Sequence, residues 1–258
     1  TRLEQLGASV EVCERGVEAV DTELGSISTA GAADPTLAVC RTLVADHGSI
    51  PFSVQGPECG LAVEGGQTLG FEIARQISRQ NPTIDAIRSV FVQVGGGALG
   101  AGLSQAFGRA EEAGLTSSLS STEFHCVQPQ GNQPLDRAYS RLIERQLTAR
   151  AAAKERDAFM TPWEDPQSVA FGILDDETYD WVALCEAMQS SGGSSHIVQD
   201  DTICEAKEIA EGMGINVCHT GAAGLAGLLE HRRRQGTAQV DGSAPDLVIL
   251  SGLDREKA

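Results

Sequence analysis

Short apolar runs alternate with helix-period segments along almost the whole chain. Ser89–Val94 (SVFVQV), Phe124–Val127 and Asp246–Leu250 (DLVIL) are apolar runs too short for helices, and each predicts a buried strand. Ala8–Cys13 and Ser195–Val198 read as further strands. Helical spacing of apolar positions predicts helices over Val17–Leu24, Leu37–Asp46, Gln67–Arg79, Ala98–Ala113 and Pro134–Ala153. The same spacing predicts helices over Glu177–Gln189, Asp201–Gly212 and Gly221–Arg234. Ile50–Val54 is a short apolar run between two of these helices. Strands this apolar, alternating with helices, imply an α/β fold with a mostly parallel, doubly wound sheet covered on both faces.

Two stretches break the alternation. Gly56–Gly66 is a loop where the chain is expected to cross between domains. Lys154–Asp176, with Pro162, Trp163 and Pro166, has few periodic positions and reads as a long surface excursion over a site or at a subunit contact.

Composition removes several function classes. Net charge is −17 and the lysines are only Lys154, Lys207 and Lys257, so the clustered cations that a polyanion needs are missing. The one basic run, His231-Arg232-Arg233-Arg234, ends a helix pattern, where it faces the negative end of the dipole. No apolar run reaches the roughly 18 residues of a membrane span, and no leader pattern is present. Nucleic acid and membrane are therefore not expected partners. Seven cysteines are scattered without C-x-x-C spacing, which suits a reducing cytoplasm and gives no metal-ligand pattern. Asp175-Asp176-Glu177 with Asp180 could attract a cation, but acids in the first turn of a helix explain them more simply.

The most chemically loaded segment is Val92-Gln93-Val94-Gly95-Gly96-Gly97-Ala98-Leu99-Gly100. A strand runs into consecutive glycines that open a helix, so backbone N–H groups and the helix dipole converge on one point. That is an anion cradle, typically for phosphate. Gly95, Gly97 and Gly100 also satisfy G-x-G-x-x-G. The dinucleotide reading, however, needs an acid at the end of the next strand, which here ends Val127-Gln128-Pro129. A glycine-rich turn without a ligand is the remaining alternative.

The order of segments resembles the fold-type II pyridoxal-phosphate (PLP) enzymes, the group of threonine synthase, serine and threonine dehydratases and the tryptophan synthase β-like enzymes. Leu6-Gly7-Ala8-Ser9-Val10-Glu11-Val12 is similar to that family's "GA-x-V" strand. Gly65-Gly66-Gln67-Thr68 with Glu72 resembles its "GQ-T-x-x-x-E" segment, and Val94–Leu99 its tetraglycine loop. Phe124–Pro134 resembles the "V-x-P-x-G" strand, Thr220–Gly227 the "GA-x-x-AG" helix, and Ile249-Leu250-Ser251-Gly252 the closing "SG" element.

The resemblance implies a tryptophan synthase β-like PLP fold, with residues 1–56 as the remainder of a smaller α/β domain and 57–258 as the large PLP-binding domain. It implies that Gly95, Gly96, Gly97, Ala98 and Leu99 offer N–H groups to the PLP phosphate. Ala98 replaces the fourth glycine, which is tolerable only at negative φ. Ser251 would sit opposite the pyridine nitrogen, and a neutral hydroxyl there suits elimination or replacement better than transamination. The implied activity is a PLP-dependent amino-acid lyase or synthase. It would act by β-elimination or by β- or γ-replacement on a serine- or threonine-like substrate, in a cytoplasmic homodimer. No catalytic residue can be named, because none of the three lysines lies in the context of the family's Schiff-base lysine. Thr1 without an initiator Met, and the helix end at Leu3–Gly7, lead us to expect an additional N-terminal segment of roughly 100 residues by domain dimensions, carrying that lysine. The alternative is a non-catalytic fragment or pseudoenzyme that binds a phosphate ligand or a partner subunit.

Overall fold

A computed structural model describes residues 2–14, 16–30, 32, 34–53, 56–80, 87–115, 119, 122–236 and 244–255. The chain divides into two compact units, Thr1–Ser53 and Val54–Ala258.

The first unit holds α1 (Arg2–Gln5), an antiparallel hairpin of β1 (Ala19–Thr22) and β2 (Gly25–Ser28), and α2 (Pro35–His47). The apolar spacing of Val17–Leu24 predicts a helix, yet the segment forms β1 and its turn. Val20 pairs with Ile27, and both pack with Val39 into a small core, so burial of one alternating face overrides a weak helical pattern. Ala8–Cys13 forms no strand, and no pairing partner is recorded for it among the described residues. Helix α2 starts where Asp34 accepts hydrogen bonds from the N–H groups of Thr36 and Leu37 (2.9 and 3.2 Å), with Pro35 following the cap. It stops at Gly48 in the left-handed region. The Ile50–Val54 run contributes no strand, and Val54 lies outside the described residues.

The second unit is a parallel sheet wrapped by helices. Its elements are α3 (Gly60–Gln80), β3 (Ser89–Gln93), α4 (Ala98–Glu112), β4 (Glu123–Pro129), α5 (Pro134–Arg145), α6 (Ala149–Ala152) and α7 (Arg156–Phe159). They continue with α8 (Trp181–Ser191), β5 (Ser195–Val198), α9 (Asp200–Gly212), α10 (His219–Gln235) and β6 (Asp246–Val248). Strand order is β5-β4-β3-β6, and every recorded pair is parallel. β3 is buried along its whole length. Val90 and Val92 join a core under α3, α4, α5 and α8, while Phe91 joins a core under α9 and α10. Two covered faces explain why this strand reads as unbroken hydrophobic sequence.

Three boundaries differ from the sequence pattern. The expected loop Gly56–Gly66 is largely helix, because α3 begins at Gly60. The expected helix Pro134–Ala153 breaks after Arg145: Gln146 takes φ 52° as a left-handed cap, and Thr148 caps α6 through Ala151 N–H. Lys154–Asp176 is not a surface excursion throughout, since Phe159, Met160, Ala170 and Ile173 are buried. Among the described residues no helix is long and apolar enough to cross a membrane.

Candidate functional site

The chain runs β3, β4, β5 in one direction across the sheet, then returns through α9 and α10 to place β6 on the other side of β3. The carboxyl ends of β3 and β6 therefore flank a topological switch point, the position where open α/β sheets form a ligand crevice. The glycine loop leaves β3 at that point, and Ser251 follows β6 there.

Gly97 carries the positive φ (105°) at the N-cap of α4, so Ala98 enters the helix as its first residue and needs no left-handed conformation. The first-turn N–H groups of α4 have no acceptor within the helix and point outward with the positive end of the dipole. The segment Ile173–Leu184 packs onto the loop. A Cβ at Gly95 would lie 2.3 Å from Asp175 Oδ2 and 2.9 Å from Ile173 Cα; one at Gly97 would lie 3.0 Å from Leu184 Cδ1. Gly95 and Gly97 are thus required by close approach on this side, and Gly97 by its conformation as well. Thr178 Oγ1 donates to the Gly95 carbonyl (3.0 Å), and Asp180 N–H donates to the Gly96 carbonyl (3.0 Å).

The Asp175 carboxyl packs against the loop beside Gly95 and Gly96, and burial pushes its pKa up while the nearby Gly96 N–H pulls it down. Sequence reading missed this contact. The acids at 175–180 are not first-turn helix acids, since α8 starts only at Trp181. Glu177 pairs with Arg156, and Asp180 Oδ2 accepts the Gly56 N–H at 3.1 Å. Nothing in the local sequence marks these partners, because they lie far away along the chain.

Ser251 Oγ accepts a hydrogen bond from Gln93 Nε2, and Gln93 Oε1 is buried without a protein partner. The residue is held from behind by α10. A Cβ on Gly221 would fall 1.5 Å from the Ser251 carbonyl oxygen, and one on Gly224 would fall 2.9 Å from Gln93 Oε1. Cys218 N–H also donates to the Gly252 carbonyl at 3.1 Å. The late Gly/Ala helix and the closing Ser-Gly are thereby locked together at the end of β6. Gln93, the last residue of β3, links the glycine strand to Ser251 and was not picked out from sequence.

Neither described lysine is committed to this crevice. Lys154 is exposed, and Lys207 Nζ is held by Glu211 and Asp254 (2.8 and 2.9 Å); Lys257 lies outside the described residues.

Comparison with known proteins supports the family and the fold. The sequence model of the family described as "Pyridoxal-phosphate dependent enzyme" matches residues 1–252. Threonine synthase of Methanosarcina acetivorans is 28% identical over 203 residues, covering 78% of this chain and 44% of that protein. Diaminopropionate ammonia lyase from Escherichia coli superimposes with a TM-score of 0.58 at 16% identity, covering 85% of this chain and 53% of the other. The processed form of threonine deaminase isoform 2 from Solanum lycopersicum gives a TM-score of 0.53 at 20% identity, covering 75% and 43%. These structures share the fold. The chain spans about half the length of the relatives it matches.

Proposed function

The chain belongs to the pyridoxal-phosphate dependent enzymes, and from that premise we propose that it serves a PLP-dependent amino-acid lyase or synthase. The reaction is elimination or replacement on a serine- or threonine-like substrate. The observation that carries the reading is the meeting of two elements at one switch point: a glycine loop that opens helix α4, and a serine hydroxyl fixed by Gln93.

The residues present fit the cofactor. Gly95, Gly96, Gly97, Ala98 and Leu99 would hold its phosphate through backbone N–H groups and the α4 dipole. Gln93 donates into Ser251 Oγ, which leaves the Ser251 O–H free to donate to an unprotonated ring nitrogen. When bound, PLP supplies an electron sink for bond breaking at an amino acid's α-carbon. A neutral partner at the ring nitrogen moderates that sink, which favours loss or exchange of a side-chain group. We further propose that residues 57–258 form the cofactor-binding domain and 1–56 part of the smaller one, in a cytoplasmic homodimer.

PLP titration followed by absorbance tests the cradle. Wild-type protein should bind PLP in competition with inorganic phosphate, and Gly96→Asp should abolish binding by placing a second carboxylate against the dianion. Unchanged PLP affinity in Gly96→Asp, or no competition by phosphate, overturns the assignment.

A further inference from the structure

A second cluster of chemistry-bearing side chains lies at the other end of the sheet. His125 on β4, His196 on β5 and His231 on α10 converge below the α10-covered face, and one ring nitrogen from each lies within 4.8 Å of the other two. Their ring centroids are 4.9, 5.0 and 5.2 Å apart, and Phe91 stacks on His125 at 4.5 Å. His125 is paired across the sheet with Phe91, four residues before Gly95. The cluster therefore sits roughly 13 Å along the strand from the glycine loop, by the strand rise.

Packing alone leaves this cluster poorly satisfied. His125 and His196 are 2% and 4% exposed, yet His125 Nε2 and His196 Nδ1 have no hydrogen-bond partner. Glu123 Oε2 lies 3.3 Å from His125 Nε2 but is not aligned to accept from it. His125 Nδ1 and His196 Nε2 lie 3.2 Å apart, and the Ser194 hydroxyl is 3.2 Å from each. Two nitrogens bound to one tetrahedral zinc, at about 2.0–2.1 Å each, are separated by about 3.3 Å.

We propose that His125, His196 and His231 form a binding site for a divalent transition-metal ion of the zinc class, which ties β4, β5 and α10 together. The ion takes the place of the Ser194 hydroxyl between His125 and His196. His231, half-buried near the end of α10, swings in as the third ligand, releasing its contact with the exposed Gln235 side chain (2.7 Å). Glu123, 3.3 Å from the outer nitrogen of His125, is near enough to orient that ring, a common carboxylate role at histidine sites. Three imidazoles suit zinc, copper, nickel or cobalt, whereas magnesium and calcium prefer oxygen donors. Asp246 holds the nearby guanidinium groups of both Arg88 and Arg232, at 2.9 and 2.5 Å, and so offsets one of those two charges.

Untagged protein, stripped with a chelator, is titrated with zinc and, separately, with cobalt as a spectroscopic probe. The expected result is one saturable equivalent of zinc, visible d–d absorption with cobalt, and a rise in Tm with zinc but not with magnesium. His231→Gln, at a half-buried position where the fold should survive, should weaken zinc binding at least tenfold, and His196→Gln should remove it. Absence of saturable zinc and cobalt binding to the wild type overturns the proposal. So does wild-type affinity in folded His231→Gln, which decides the matter even if His196→Gln fails to fold. PLP binding is expected to be unchanged in His231→Gln, so the outcome is independent of the cofactor reading.

Discussion

Replacing Gly221 by alanine tests whether α10 and the end of β6 meet backbone to backbone behind Ser251. The new Cβ would fall 1.5 Å from the Ser251 carbonyl oxygen, 2.5 Å from its carbon and 2.7 Å from Val217 Cγ2. Even a close carbon–oxygen contact needs about 3.3 Å, so helix and strand end must part by roughly 1.8 Å. Both sides are backbone, tied together by the Cys218-to-Gly252 hydrogen bond, and no side chain can rotate away. Overpacking typically costs about 1–3 kcal/mol and occasionally more, and a backbone clash belongs at the upper end. The helix-propensity gain of alanine over glycine is at most about 1 kcal/mol. The net expectation is a loss of about 2 kcal/mol, which for a chain of this size corresponds to roughly 4–8 °C in Tm. Urea unfolding should show a lower midpoint at unchanged slope, and PLP affinity should fall as Ser251 shifts. Gly108→Ala is the control. It lies on an exposed stretch of α4 with nothing within 4 Å of the added Cβ, and should gain about 0.5–1 kcal/mol. Equal midpoints for the two variants would refute the close-approach argument.

Four further outcomes are expected from three variants. Asp175→Asn should raise phosphate and PLP affinity several-fold, because it removes a carboxylate packed against the loop that would repel the dianion; an unchanged or weaker Kd counts against a shared cradle. Burial raises the folded pKa of Asp175, with Asp176 acting in the same direction, so the folded state favours its protonated form and loses that advantage as pH rises. The Asn variant should then be more stable than wild type at pH 7, with the difference vanishing below the unfolded value of about 3.9; an identical gap at pH 3 and pH 7 would refute the charge argument. Leu184→Ala removes a fully buried side chain that supports Gly97 and Gly100, and should cost about 2–5 kcal/mol in urea unfolding together with a weaker PLP Kd; a loss under about 1 kcal/mol would show that the loop does not rest on it. Ser251→Ala should shift the absorption maximum of bound PLP, and a spectrum identical to wild type would separate Ser251 from the ring nitrogen.

The sequence by itself determined the parallel sheet and the glycine loop. Continuous apolar runs such as SVFVQV report burial on both faces, and a strand that runs into glycines and then a helix is a local backbone signal. The ordered short motifs added the family and pointed to Ser251. Local pattern failed where pairing across the chain decided the outcome: Val17–Leu24 became a hairpin strand because Val20 found Ile27 and Val39. It failed again at Gln146, where a left-handed cap ends a helix that the apolar spacing continues. Only the tertiary structure put Asp175 against Gly95 and Gln93 behind Ser251, and gathered three histidines from two strands and a helix. Each of those contacts joins residues 35 to 158 positions apart, with no spacing rule to announce it. Strand order decides such meetings, and strand order is a property of how the whole sheet packs.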